Sequence, residues 1–281
     1  MNRKNKFACG IVTYFPNNDV IDKINKYSDE FDEVYVFDNT PQESDVLKKL
    51  ELNQKIHLYS NEENNGLSVA YNYFVKEAIS NCDFLCTLDQ DSVFLTENIE
   101  KIIDYINSND LDSIAVIGPK IIYNNDYEMS ARNSDINDKR YLISSGSFLN
   151  LSILKENNIK FDPQYFIDRV DIDFCQECIR KGFRVVEYTS SVLYQTLGTP
   201  TKHMNKGNHS YKRHYYMFRN RFYYNRKFSN SLLQRESLNI IQSLKQCLRI
   251  LTFEDQKINK LKQLLLAIYD YQHNIMGSGR Y

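Results

Sequence analysis

Hydrophobic and polar positions along the first half of the chain follow two periods in turn. Short apolar, β-rich runs at Phe7–Tyr14, Glu33–Phe37, Lys55–Ser60, Phe84–Leu88 and Ile114–Ile117 predict strands. Between them apolar residues recur at helical spacing: Val20, Ile21, Ile24 and Tyr27 after the turn Pro16-Asn17-Asn18-Asp19, then Leu67–Ile79, then Glu97–Ile106. Strands separated by helices of this length predict βαβ units and a mostly parallel sheet.

The second half is less regular. Tyr141–Asn150 reads as a strand kinked at Gly146, Asp171–Lys181 as a helix ended by Gly182, and Arg184–Tyr188 as a further strand. Thr196–Asn208 is rich in Gly, Thr, Lys and Asn and reads as a mobile loop. From Arg213 onward three helical stretches follow. The second carries an apolar stripe of Leu233, Ile240, Ile241, Leu244, Leu248 and Leu251, and the third one of Ile258, Leu261, Leu265 and Ile268. Such stripes are expected to pack on the body of the protein or on a partner subunit, a membrane contact being the minority case.

Charge adds an asymmetry that the near-neutral total hides. Residues 202–281 carry 15 Lys and Arg against 4 Asp and Glu, and residues 1–201 carry 20 against 32. The C-terminal part is therefore suited to meet something anionic: a lipid surface, a pyrophosphate-linked substrate or the acidic body itself. The aromatics form no nucleic-acid-binding module, so nucleic acid is not an expected partner. No run approaches a membrane-spanning length, and Met1–Lys6 leads into a strand without the apolar segment of a signal peptide. Six cysteines without a partner pattern point to a reducing cytoplasm, and Cys175 and Cys178 read as packing residues.

The chemistry-bearing residues fall at strand ends. Thr13 and Tyr14 end the first strand, Asp38 and Asn39 the second, and Asp89-Gln90-Asp91 the fourth. In a parallel sheet the carboxyl ends share one edge, so these groups converge on one crevice. Two carboxylates one residue apart suit Mg²⁺ or Mn²⁺ with positions left for diphosphate oxygens. Asn64-Asn65-Gly66 feeds a helix whose N-terminus favours anions. Asp168, Asp171 and Asp173 crowd three carboxylates near another helix start. That suits a general base, and equally suits helix capping. No G-x-G-x-x-G or Walker motif occurs, which argues against a dinucleotide oxidoreductase and a P-loop NTPase.

Taken together, IVTYFP at 11–16, VFDNT at 36–40, NNGLSVAYN at 64–72, LDQD at 88–91 and FIDRVDIDFC at 166–175 resemble, in order and spacing, the family 2 glycosyltransferases. Those are inverting, metal-dependent enzymes of GT-A fold, with a Rossmann-like, mostly parallel central sheet flanked by helices. Tyr215–Arg221 is similar to the R-Y-Y-x-x-R-N segment of the bacterial rhamnosyltransferase branch. The resemblance implies a catalytic domain over residues 1–210, with a nucleotide-binding half to about 118 and an acceptor half from 119, followed by a basic helical region at 211–281. It implies that Thr13, Tyr14, Asp38, Asn39, Asn64, Gly66, Asn72 and Asp89 bind the nucleotide and that Asp91, with Asp89, holds the metal. It further implies Asp171 as catalytic base, and Ser145, Gly146, Asp168 and Asp173 around the donor sugar and acceptor.

Three positions depart from the family pattern. Val170 precedes Asp171 where Glu is commoner, Gln195 stands where many relatives have His, and His214 replaces the Arg that opens the R-Y-Y segment; His203 and His209 are candidates to compensate. The function expected is transfer of L-rhamnose from dTDP-L-rhamnose to a bacterial surface polysaccharide or a lipid-linked glycan acceptor, with Arg219 and Arg221 on the diphosphate. The expected location is the cytoplasm, free or peripheral on the inner face of the cell membrane, with the C-terminal helices as candidates for a lipid contact or a homodimer. The alternatives are transfer from a UDP-sugar, a nucleotidyltransferase, and a non-catalytic nucleotide-sugar-binding subunit of a synthesis complex.

Overall fold

The computed structural model describes residues 5–123, 136–195, 200–201, 204–207 and 209–281. Two compact units divide the chain. One comprises Met1–Phe161 with Phe174–Thr196, the other Asp162–Asp173 with Leu197–Tyr281. Residues 162–173, expected with the catalytic domain, thus group with the C-terminal helices.

In the first unit β1 (Phe7–Thr13), α1 (Asn18–Glu30), β2 (Glu33–Asp38), β3 (Ile56–Ser60), α2 (Leu67–Ala78), β4 (Phe84–Asp89) and α3 (Thr96–Ser108) follow the expected alternation. β1 pairs in parallel with β2 and β4, and β2 with β3. α1 starts where the Asn17 side chain accepts from Val20 N, and it buries Val20, Ile21, Ile24 and Tyr27 as its spacing predicts. A 3₁₀ turn at Leu47–Leu52 precedes β3.

The remaining strands are β5 (Ile114–Tyr123), β6 (Ile136–Asp138), β7 (Ser147–Asn150) and β8 (Arg184–Gln195), with α4 (Leu151–Glu156) after β7. The eight strands run β3-β2-β1-β4-β7-β5-β8-β6, with β7 antiparallel to both neighbours and β6 antiparallel to β8. The strand expected over 141–150 is confined to its last four residues. Gly146 has φ +83, and Ser147 Oγ donates to Ile143 O (2.6 Å), holding 143–147 in a turn. β8 continues well past Tyr188 because residues 189–191 leave the ladder without ending it: Pro119 pairs with Tyr188 and Lys120 with Val192. Asn98 takes up the displaced groups, accepting from Ser191 Oγ at its carbonyl (2.7 Å) and from Val192 N at its side chain (3.2 Å).

In the second unit β9 (Pro200–Thr201) and β10 (Met204–Gly207) pair antiparallel inside the segment expected to be a mobile loop. The rest of that expectation, His203 included, lies outside the described residues. α6 (Tyr211–Phe228), α7 (Leu232–Phe253) and α8 (Lys257–Gln272) pack around Tyr215, Phe218, Phe222, Ile250 and Ala267, with Phe166 and Ile167 against them. α5 (Val170–Arg180) starts in this unit and ends in the first. The six cysteines are free thiols, with Cys175 and Cys178 buried as packing residues. No described helix is long and apolar enough to cross a membrane.

The body of the protein leaves most of the α7 and α8 stripes uncovered. Leu233 is 79% exposed, Leu244 64% and Leu265 70%. Only Leu261 and Ile268 of the α8 stripe are partly buried against the helical core.

Candidate active site

The strand ends of the first unit converge as the topology requires. Thr13 is the register partner of Asp38, and Val12 that of Asp89, so three neighbouring strands deliver these groups to one edge. Asp38 is fully buried. Its Oδ1 accepts from Thr13 Oγ1 (2.9 Å), Thr40 Oγ1 (2.7 Å) and Thr40 N (3.3 Å), while its Oδ2 is buried with no partner among the described residues. A buried carboxylate oxygen without a donor is costly unless a ligand supplies one.

Asn39 braces the next loop. Its Oδ1 accepts from Asn65 N (2.9 Å) and its Nδ2 donates to Gly66 O (3.4 Å), while Asn64 Oδ1 accepts from Gly66 N (3.1 Å). Gly66, with φ +78, turns this loop into α2, a conformation that L side chains rarely adopt. Tyr14 is exposed, and its backbone exchanges two 2.9 Å bonds with the Gln90 side chain. Gln90, unassigned from the sequence, thereby laces the end of β1 to the turn after β4.

Asp89 is held on several sides. Tyr71 Oη donates to Oδ1 (3.5 Å), Gln195 Nε2 to Oδ2 (3.3 Å), and the Asp89 N–H donates to Ser145 Oγ (3.1 Å). Ser145 is buried and also bonds Ser92 Oγ (2.7 Å). Gly146 admits no side chain: a Cβ there would lie 2.6 Å from Leu193 Cδ1. Ser145 and Gly146, expected around the sugar, thus support the Asp89 turn. Asn72 is likewise structural, since its amide both donates to Phe161 O (2.8 Å) and accepts from Phe161 N (3.1 Å). Asp91 is exposed, and no described group hydrogen-bonds its carboxylate.

In the second unit Asp171 sits half-buried in the first turn of α5, its Oδ1 accepting from Ile172 N (2.8 Å). Burial pushes its carboxyl up to about 6; the Ile172 N–H opposes this and the Asp168 charge adds to it. The turn before it is strained, with Asp168 at φ +61 and Arg169 at φ +71. Asn220, fully buried on α6, holds that turn by donating to Ile167 O (2.6 Å) and Asp168 O (3.1 Å). Arg213 pairs with the Asp168 carboxylate (3.1 Å).

Three further expected site residues, all in the second unit, are buried among intramolecular partners. Asp173 is 1% exposed, and its two oxygens accept from Tyr165 Oη (2.9 Å) and Lys227 Nζ (2.7 Å), so burial commits it to these intramolecular partners. Arg219 is fully buried. Its guanidinium donates to Gly277 O (2.6 Å) and Ile275 O (3.3 Å), so it clasps the C-terminal segment and not a diphosphate. Arg221 is 9% exposed and donates from Nη1 to Gln242 O (2.9 Å) on α7. His214 is also buried, accepting from Gln246 at Nδ1 (2.9 Å) and meeting Glu254 at Nε2 (2.7 Å).

Converging parallel strand ends with an acidic pair at the end of the fourth give the geometry, and sequence comparison gives the lineage. The sequence profile of Glycosyl transferase family 2 matches residues 18–178. The chain belongs to this family. It is 26% identical to dTDP-rhamnosyl transferase RfbF of Shigella flexneri, over 96% of this chain and 97% of that protein. Among solved structures it is similar to Staphylococcus aureus TarS 1–349 in complex with UDP-GlcNAc, with TM-score 0.62 and 16% identity, covering 95% of this chain and 80% of that one. It is also similar to GalNAc-T7 with UDP, GalNAc and Mn²⁺, with TM-score 0.58 and 12% identity over 85% and 55% of the two chains. The architecture is GT-A, and the protein is a glycosyltransferase handling a nucleotide-sugar donor.

Proposed function

We propose that this glycosyltransferase is inverting and moves L-rhamnose from dTDP-L-rhamnose to a hydroxyl of a bacterial surface polysaccharide or lipid-linked oligosaccharide precursor. It would act at the inner face of the cell membrane, its C-terminal helices meeting that membrane or a second copy. The donor assignment draws on the full-length likeness to the Shigella rhamnosyl transferase. The nucleotide site rests above all on the buried, unpartnered Oδ2 of Asp38, an acceptor suited to a base N–H or a ribose hydroxyl.

In the transfer the Asp171 carboxylate removes the acceptor hydroxyl proton as that oxygen bonds to the anomeric carbon. The bond from the anomeric carbon to the diphosphate oxygen breaks on the opposite face, and the nucleoside diphosphate leaves with the electron pair. Asp89 and Asp91 are the carboxylates that would hold Mg²⁺ or Mn²⁺. Among the described residues no three His, Cys, Asp or Glu side chains cluster as a ligand set. A donor set this small fits a cation bound by one or two carboxylates together with diphosphate oxygens. Such an ion would neutralise charge developing on the leaving group.

Thermal-shift measurements with dTDP, UDP and GDP, each with Mg²⁺ or Mn²⁺ and with EDTA, test this reading. Metal-dependent stabilisation should be largest with dTDP. A preference for UDP would reassign the donor, and no response to any nucleotide would overturn the site. Asp38→Ala should abolish the shift, because it removes the acceptor and leaves Thr13 and Thr40 unpaired. Asp91→Asn should remove only its metal-dependent part, and an unchanged EDTA sensitivity in that variant would exclude Asp91 as a ligand.

A further inference from the structure

The second unit carries a feature that catalysis does not use: α7 is packed inside out. Its buried residues are Asn239, Gln246 and Ile250. Asn239 pairs with Asn225 (2.8 Å) and Gln246 with His214 (2.9 Å), so a polar seam faces the interior. The opposite face presents Leu233, Ile240, Leu244, Leu248 and Leu251 at helical spacing, each 49–79% exposed. α8 repeats the inversion in part only. It packs Ala267, Leu261, Leu264 and Ile268 with the helical core and also buries Lys260, Gln263 and Asp270, while leaving Ile258 at 71%, Leu265 at 70% and Tyr269 at 50% exposed.

Aliphatic side chains in such numbers on one surface mark a contact, since scattered exposure would not select one face of each helix. Charge decides which contact. Residues 202–281 hold 15 Lys and Arg against 4 Asp and Glu. Glu236, Glu254 and Asp270 are offset by Arg235, Arg249, Lys260 and Arg280 in ion pairs, so the charge free to face outward on these helices is that of lysines. Lys245 on α7 and Lys257 and Lys262 on α8 are exposed on the same two helices. A second copy would bring a like-charged surface against this one, whereas an anionic lipid surface is its complement.

We propose that the exposed apolar faces of α7 and α8 lie in the interface of an anionic membrane. The aliphatics would sit at the acyl boundary and the lysines among the headgroup phosphates. The contact is monotopic, in keeping with helices that cannot span a bilayer. It does not depend on which sugar the enzyme moves.

The test is co-sedimentation of the full chain with phosphatidylcholine vesicles, with and without phosphatidylglycerol. Binding should require the anionic lipid and weaken with salt. The double variant Leu244→Glu, Leu248→Glu changes only exposed positions and should lose at least about tenfold in binding. Lys245→Glu and Lys262→Glu should each lose about fivefold, the weight of one basic residue at an anionic surface. Equal binding to neutral vesicles, no binding to either, or full binding by the leucine variant would overturn the proposal. So would a dimer in sedimentation velocity that the leucine variant dissociates in the absence of vesicle binding, since a second copy would then own the face. Nucleotide-induced stabilisation measured on the leucine variant keeps the two outcomes apart: an unchanged shift means that any loss of vesicle binding is local to the helices.

Discussion

Asp171→Asn is expected to lower the rate of sugar transfer by about 10²–10⁴-fold, the usual contribution of a positioned general base, with nucleotide-induced stabilisation unchanged. The substitution keeps the shape of the side chain and removes its ability to take a proton. The same group sets the pH profile. With its carboxyl raised to about 6 by burial, Asp171 is a base only above that pH. Transfer should therefore fall about tenfold per pH unit below 6 and level off above it.

The stability consequence has the opposite sign. A folded-state pKa above the unfolded value of about 3.9 gives stability that is full below about 4 and is lost as pH rises through about 6. At pH 7 the wild-type protein thus carries an unfavourable buried charge that Asn does not. The variant should unfold at a temperature equal to or higher than that of wild type. Loss of transfer without loss of stability separates a catalytic role from a structural one. Substantial transfer by Asp171→Asn, measured with donor and acceptor in excess, would remove Asp171 from the mechanism.

How much of this could be read from the residues differs between the two units. In the first, apolar period and strand-end position carried most of the fold, because parallel βαβ units are built from local patterns and their carboxyl ends share an edge by topology. Thr13, Asp38 and Asp89 are register neighbours for that reason. What the pattern does not encode is which partner a polar side chain finds. Asn72 and Phe161 bond across 89 residues, and Asn220 and Asp168 across 52, so their structural roles are invisible in a window of the chain. β7 runs antiparallel to β4 and β5, and a four-residue strand carries no sign of its direction. The stripe on α7 illustrates a different limit. Periodicity shows that one face is apolar but not whether the molecule covers it, and here Asn239 and Gln246 find polar partners inside while the leucines face out. Placing the arginines of the R-Y-Y-like segment on the diphosphate failed for a related reason. A cation in a positively charged region reads as a ligand for phosphate, whereas burial commits Arg219 to carbonyl oxygens.

Arg219→Ala should therefore act on stability first, lowering it by about 2–4 kcal/mol, since hydrogen bonds from a charged group contribute about 1.5–3 kcal/mol and the buried carbonyls it serves lose their donor. The guanidinium is planar and offers its donors in a fixed fork. That fork reaches Gly277 O and Ile275 O on one side and Asn220 Oδ1 (3.2 Å) on the other, while stacking beside Tyr215 and Tyr216. Its removal leaves the carbonyls of Ile275 and Gly277 without this donor. It also takes a nearby positive charge from the buried Asp270, which keeps Arg280 and Tyr215 as hydrogen-bond partners. Arg219→Lys keeps the charge but cannot span both sides, so it should recover only part of the loss. The effect should also reach Asp171, because Arg219 holds the oxygen of Asn220 and so points its amide at the strained turn of Asp168 and Arg169. Urea unfolding followed by circular dichroism, with donor binding measured on the same variants below the transition, distinguishes the two roles. An arginine on the diphosphate would weaken donor affinity and leave the unfolding midpoint in place. A clasp at the base of the catalytic turn would lower the midpoint and the transfer rate together, with donor affinity retained.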